Sequence, residues 1–156
     1  MTDDVMLWVE KQAIQEVVTW YSDAASRGAW DELAALWTED GVWEVGPPVG
    51  TRIVGARAIR EDLQKVNAAD FLIQTTHGTV VTLHDATHAS SRTTIHALAR
   101  RTGHYQIVNY GIYYDELVKQ AGRWRFARRM LQPIYSDTSP LPGSVPITRA
   151  DLARLG

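Results

Sequence analysis

The chain contains no cysteine. It can therefore hold no disulfide, no zinc–thiolate site and no cysteine nucleophile. It also has little net charge, with 16 basic against 18 acidic residues and a formal −2. That balance argues against nucleic-acid binding, which usually needs a strong positive field. A local cluster at Arg123, Arg125, Arg128 and Arg129 interleaves with Trp124 and Phe126 and reads as the wet face of a strand. No apolar run approaches the length of a membrane span. The first residues carry Asp3, Asp4 and Glu10 and lack the basic start and apolar core of a signal peptide, so the cytoplasm is the expected location. There is no glycine-rich phosphate loop, no Gly-x-Ser-x-Gly elbow, no cofactor fingerprint, no internal repeat and no low-complexity segment. His84, Asp85 and His88 are close in sequence, but their spacing is not that of a metal site, and they and His104 are expected in solvent near turns. Neither a cofactor nor a metal is expected.

What is present suits one domain: 156 residues, of which 45% are hydrophobic. Thr2, Asp3 and Asp4 look like a helix start, and Ile14, Val17, Val18, Tyr21 and Ala25 recur at helical spacing. Gly28 should stop that helix. A second is expected from Trp30 to Thr38 with Leu33, Leu36 and Trp37 inward, then a turn at Asp40-Gly41 and a strand over Val42–Val45. Pro47-Pro48 marks a loop, and a third helix from Ala56 to about Val66 carries Ile59 and Leu63 inward. Long β-rich stretches follow: Ile73–Leu83, Thr87–Arg101, Tyr105–Val118 and Arg123–Ile134. Asp85-Ala86, Thr102-Gly103 and Ala121-Gly122 separate them, and turns this short imply antiparallel hairpins. Helices first and a meander second predict an α+β domain over 1–136. The tail, 137–156, holds Pro140, Pro142 and Pro146 and should be an extended arm with a last turn at Arg149–Leu155.

Three local motifs carry a family resemblance. Val17-Val18-Thr19-Trp20-Tyr21-Ser22-Asp23, followed by Arg27-Gly28-Ala29-Trp30-Asp31-Glu32-Leu33, is similar to the first two helices of SnoaL-like proteins. Leu36-Trp37-Thr38-Glu39-Asp40-Gly41-Val42-Trp43-Glu44 is similar to the strand that follows them, and Ile53-Val54-Gly55-Ala56-Arg57-Ala58-Ile59 to the start of the family's third helix. With the meander ending at Gly122-Arg123-Trp124-Arg125-Phe126, the chain resembles the SnoaL-like, or nuclear-transport-factor-2-like, superfamily over roughly residues 8 to 135. The resemblance implies a cone: three N-terminal helices packed on a curved, mainly antiparallel sheet, with an apolar pocket inside. The superfamily includes ketosteroid isomerase, scytalone and bile-acid dehydratases, lindane dehydrochlorinase, polyketide cyclases, dioxygenase β-subunits and plain binding modules, so fold alone does not give activity.

Within that frame the candidate residues are these. Tyr21 lies on the buried stripe; it either points into the cone as a donor to a developing oxyanion or is a core tyrosine tied to a neighbour. His77 falls in the region where the dehydratase and dehydrochlorinase relatives keep a catalytic histidine and suits general-base work, but another register puts that position on Gln74. Those relatives pair the histidine with a helix-one aspartate. Here the position falls on Ser26, with Asp23 nearby as a substitute or a solvated residue. The isomerase base position falls on Val45. His96 is a second acid or base if its face looks inward, and an outer-face residue if the apolar face of its strand does; periodicity favours the latter. Tyr113 lies where relatives place an acidic hydrogen-bond donor, and Asn109 shares its face. Trp37, Trp43, Val45, Ile59 and Leu63 complete the expected pocket wall, suited to a flat ring. Two functions are expected: a cofactor-free lyase or isomerase acting by proton abstraction on a small apolar cyclic molecule, or a non-catalytic binding or assembly module. A dioxygenase β-subunit is a third. A homodimer or homotrimer is expected, with neither nucleic acid nor membrane as partner.

Overall fold

The computed structural model describes residues 3–66, 70–101 and 105–155. Helix α1 spans Asp3–Arg27 and buries Ile14, Val17, Val18, Tyr21 and Ala25, the stripe its spacing predicts. It ends at Gly28, whose φ of +72° lies in the left-handed region that glycine adopts without strain. Helix α2 (Trp30–Ala34), β1 (Trp37–Val45), β2 (Arg52–Val54) and α3 (Ala56–Val66) follow. Then come four long strands, β3 (Phe71–Leu83), β4 (His88–Arg101), β5 (Tyr105–Gln120) and β6 (Arg123–Asp137), and a terminal turn of helix, α4 (Arg149–Leu152).

The sheet order is β2-β1-β6-β5-β4-β3. β3 to β6 form an antiparallel meander, as the short turns predict, and β1 lies parallel to β6, so the sheet is mixed. Two boundaries differ from expectation. Helix α2 stops at Ala34 and β1 already begins at Trp37, because the Phe126 backbone N–H donates to the Leu36 carbonyl and Trp37 pairs across to Phe126. The ladder to β6 captures residues whose local spacing reads as helix. The strand β2 has no counterpart in the sequence expectation; it is held against β1 by the pair Arg52 and Glu44. The expected turn at Thr102-Gly103, like His104, lies outside the described residues.

The helices cover one face of the curved sheet, and Ile14, Leu33, Ile59, Ile95, Leu117 and Phe126 are buried between the layers. Two of the one-residue irregularities in these strands bear on which side chains face them. In β3 the pairing with β4 slips between Thr76 and Thr79, at Gly78. In β6 it slips between Phe126 and Arg128, at Ala127. A strand alternates faces with period two, so one extra residue reverses every side chain beyond it. Trp124 and Phe126 point inward before the second slip, and Arg129 and Leu131 after it. The expectation that Arg129 belongs to a wet strand face with Arg123, Arg125 and Arg128 is therefore corrected: its side chain is fully buried.

Helix α1 is pinned to the meander by polar contacts as well as packing. The Glu10 carboxylate accepts from Lys119 Nζ at 2.6 Å and from Trp124 Nε1 at 2.7 Å, and Gln15 Nε2 donates to the Thr79 carbonyl at 3.1 Å. Lys119 first, and Trp124 second, hold the Glu10 carboxyl below its usual range. A depressed folded pKa adds stability above the unfolded value and loses it as pH falls through the folded one. Glu10→Gln is expected to cost about 1 kcal/mol near pH 7, with the gap to the parent narrowing below about pH 4. Denaturant titrations of both proteins across that range test this; a gap that stays constant in acid would show that the Glu10 charge is not the source.

Candidate active site

The inner face of the cone carries a compact polar and aromatic cluster. Tyr21 comes from α1, Trp43 from β1, Tyr113 and Asp115 from β5, Phe126 and Arg129 from β6 and Ser91 from β4. The Arg129 guanidinium carbon sits 3.8 Å from the Tyr113 ring centroid, 4.2 Å from Tyr21 and 4.4 Å from Phe126. Its Nε is 3.2 Å from Asp115 Oδ1, and Asp115 Oδ2 accepts from Ser91 Oγ at 2.9 Å. The Arg129 nitrogens have no well-aligned hydrogen-bond acceptor, so the ring faces supply much of the compensation for burying the cation. Tyr21 meets Tyr113, Phe126 and Trp37 edge-on, with centroids 5.8, 5.9 and 6.3 Å apart.

Burial sets the ionisation of this cluster. It pushes the Tyr21 phenol well above its usual pKa; Tyr113 raises it further, and Arg129 opposes. Burial likewise raises Tyr113, again against Arg129. Both phenols therefore stay protonated near neutral pH and act as donors. Burial also raises the Asp115 carboxyl above the usual range, against Arg129 and Ser91. The indole N–H of Trp43 is buried near both hydroxyls, close enough to favour their ionised forms, yet makes no aligned hydrogen bond.

One helical turn along α1, the interior holds a neutral pair. Gln74 Nε2 donates to Ser22 Oγ at 3.0 Å, the Gln74 backbone N–H donates to Ser26 Oγ at 3.0 Å, and Ser26 Oγ donates to the Ser22 carbonyl at 2.8 Å. Gln74, the alternative to His77 in the sequence reading, is the one whose side chain turns towards helix one. Asp23 is exposed and pairs with Arg27 at 2.7 Å.

The structure brings together Tyr21, Tyr113, Trp37 and Trp43, with Ile59 and Leu63 buried on α3 and Val45 half-buried on β1. Asn109 shares the Tyr113 face, half-buried, and its Oδ1 accepts from Ser136 Oγ. It does not bring His77 or His96 to them. Ile95 and Ala97 of β4 face the core, so His96 between them faces out, stacked on Tyr110 with centroids 4.3 Å apart. His77, beside the Gly78 slip, is exposed with its ring 6.3 Å from that of His96. His84 and His88 are exposed, His88 against Asp85. Among the described residues no three His, Asp or Glu side chains converge as metal ligands. Ser22, Ser91, Asp115 and Arg129 are among the inner polar residues that the sequence reading missed. The signal for Arg129 was the break in alternation, Trp124, Phe126, then three residues rather than two.

Helices on an open, curved six-stranded sheet with a polar cluster at the inner face define the cone-shaped α+β class of nuclear-transport-factor-2-like proteins. The chain belongs to the SnoaL-like domain family, whose sequence model matches residues 9–130. It is similar to a Novosphingobium aromaticivorans DSM 12444 protein provisionally named scytalone dehydratase: 27% identity, 94% of this chain and 97% of that one, TM-score 0.77. It is also similar to a point variant of a Mycobacterium tuberculosis protein of unknown function, at 26% identity over 99% and 88% of the two chains with TM-score 0.75. A LinA-type hexachlorocyclohexane dehydrochlorinase of Novosphingobium barchaimii LL02 shares the fold, at 17% identity over 93% and 100% with TM-score 0.78. No curated protein is a significant sequence match. No helix among the described residues is long and apolar enough to cross a membrane.

Because Arg129 and Asp115 are both fully buried, removing one strands the other's charge. Asp115→Asn and Arg129→Met are each expected to destabilise by about 3 kcal/mol or more. The paired change Asp115→Asn with Arg129→Met should cost less than the sum by about 2 kcal/mol. Chemical denaturation of the three variants measures the coupling, and a strictly additive result would mean that the two charges do not depend on one another.

Proposed function

We propose that this protein is a cofactor-free lyase or isomerase that works by proton abstraction from a small, mostly apolar ring compound bearing a carbonyl oxygen. The observation that carries the reading is the convergence of two phenols kept protonated by burial, Tyr21 and Tyr113, beside the Arg129 cation. A carbonyl oxygen placed against these hydroxyls gains negative charge as the adjacent C–H is deprotonated. Donors already aimed at that oxygen, in a site poor in water, stabilise the transition state more than the ground state. Asp115 is the proton acceptor in this reading, being a carboxylate on the same inner face whose pKa burial moves upward. Return of the proton to another carbon gives an isomer, and loss of a β-substituent from the enolate gives elimination. Trp37 and Trp43 would form flat walls for the ring.

A binding module without turnover is the second reading, favoured by one observation. Neutral Gln74, hydrogen-bonded to Ser22 and Ser26, faces inward where a His–Asp base would serve the chemistry of the relatives, and His77 and His96 face out. Under either reading we place the protein in the cytoplasm as a homodimer or homotrimer. Tyr110, Ile134 and Tyr135, exposed on the outer face, support an assembly there.

Deuterium uptake from heavy water by a panel of cyclic ketones, enones and β-substituted ring ketones, followed by mass spectrometry, tests the proposal. Tyr21→Phe and Tyr113→Phe are expected to slow exchange about 100-fold or more each, while His77→Ala leaves it unchanged. Exchange that survives both phenol variants and dies with His77→Ala would sink this assignment. Binding of panel members with no exchange at all would favour the second reading.

A further inference from the structure

Beyond β6 the chain runs back along the start of β3 and the end of α1. Arg100 Nη1 anchors it by donating to the carbonyls of Leu141 and Gly143, each at 2.6 Å. Under this arm lies a groove of about 280 Å³, walled by Phe71, Leu72 and Ile73 of β3 and by Val145, Ile147 and Leu152 of the arm, with Ser26 and Arg149 at its polar end. Most of its surface is apolar, although Asp70, Ser144 and Thr148 also line it, and one group is unusual.

That group is the Arg149 guanidinium. It lies over the Trp30 ring, 5.5 Å from its centroid, and is packed so closely against Gly28 that a Cβ there would come within 2.7 Å of Nη1. Its Nε and Nη2 are buried and have no hydrogen-bond partner. Burial without a partner lowers its pKa, the mark of a cation whose lost hydration nothing replaces. These two nitrogens form one edge of the guanidinium fork, the edge that takes both oxygens of a carboxylate in parallel. We infer that the groove between the C-terminal arm and β3 binds a small monocarboxylic acid with an apolar body, its carboxylate on the Nε–Nη2 edge of Arg149 and its body against Leu72, Ile73 and Leu152.

The surroundings select this chemistry over other anions. A phosphate dianion would need a second cation, and Arg149 is the lone cationic side chain among the described residues lining the groove. Asp70, also on the rim and 3.5 Å from Arg100 Nε, adds negative charge that disfavours a dianion. The cavity has room for a ring or a branched chain, and apolar walls reward filling it. The inference does not depend on the chemistry assigned to the Tyr21 cluster.

Titration calorimetry of the whole chain with phenylacetate and with phenylacetamide, its neutral counterpart, tests the site. Phenylacetate is expected to bind at least about tenfold tighter than the amide, a difference of about 1.4 kcal/mol. Arg149→Gln should abolish that preference. Arg149→Lys, which keeps the charge and loses the fork, should retain only part of it, and Tyr21→Phe should leave it intact. Thermal melts of each variant establish that the arm and core remain folded, and phenylacetate should raise the melting temperature of the parent but not of Arg149→Gln. Equal affinity for acid and amide, equal phenylacetate affinity in parent and Arg149→Gln, or no heat with either compound at millimolar concentration would each overturn the assignment. Tighter binding of a short peptide through its free C-terminus than of phenylacetate would overturn the choice of a small acid as occupant.

Discussion

Arg129 is a full positive charge in the centre of an apolar layer, and the surrounding architecture is arranged around the need to compensate it. Moving such a charge out of water costs several kcal/mol even after the protein relaxes. Asp115 provides the opposite charge, Ser91 fixes the carboxylate, and the faces of Tyr21, Tyr113 and Phe126 close over the cation. The groups come from α1, β4, β5 and β6. None of these elements can shift its register without exposing or stranding part of the set, so the cluster fixes how the long helix sits on the meander. The same enclosure keeps both phenols protonated, and so one packing solution serves both the stability of the layer and the donor character of its inner surface.

Much of the fold was legible in the sequence because it depends on local patterns. The α1 stripe, the glycine that ends it, α3 and the hairpin strands all follow from spacing and turn chemistry over short windows. What was not legible depends on partners far along the chain. Trp37 joins a strand rather than α2 because Phe126 is there to pair with it. The inward turn of Arg129 comes from a single extra residue at Ala127, and alternation read straight through β6 puts that side chain in water. In β3 plain alternation, ahead of the slip at Gly78, turns Gln74 towards α1 and His77 away from it. In the site itself Tyr21, Tyr113, Trp37 and Trp43 were visible because each sits on a stretch of regular periodicity. Asp115, Arg129 and Ser22 were not, since polar residues are read as surface residues until a structure shows them enclosed.

The distribution of polar groups has a chemical logic. Inside the cone the described polar side chains are neutral donors, one cation and one carboxylate bound to it; His77 and His96, a side-chain type suited to exchanging protons near neutral pH, stack on the opposite face of the sheet. The interior is thus prepared to hold negative charge on a ligand oxygen, beside a single carboxylate, Asp115, that Arg129 orients. A similar division recurs at the C-terminal arm, where Arg149 presents donors without an acceptor. In both places the protein offers positive potential to whatever enters.

The parallel seam between β1 and β6 carries a consequence for how the molecule is made. Trp37 pairs with Phe126, and Val45 with Leu131, so the first strand waits for the last strand of the meander. Contacts closed over such a separation pay their loop entropy before they return any stabilisation. On the ribosome, α1 through β5 can emerge and form hairpins, but the face of β1 and the aromatic ring of the core stay unpaired until β6 has left the exit tunnel. The N-terminal helices and the sheet are therefore not separable building blocks, because β1 completes its pairing only with the last strand of the sheet.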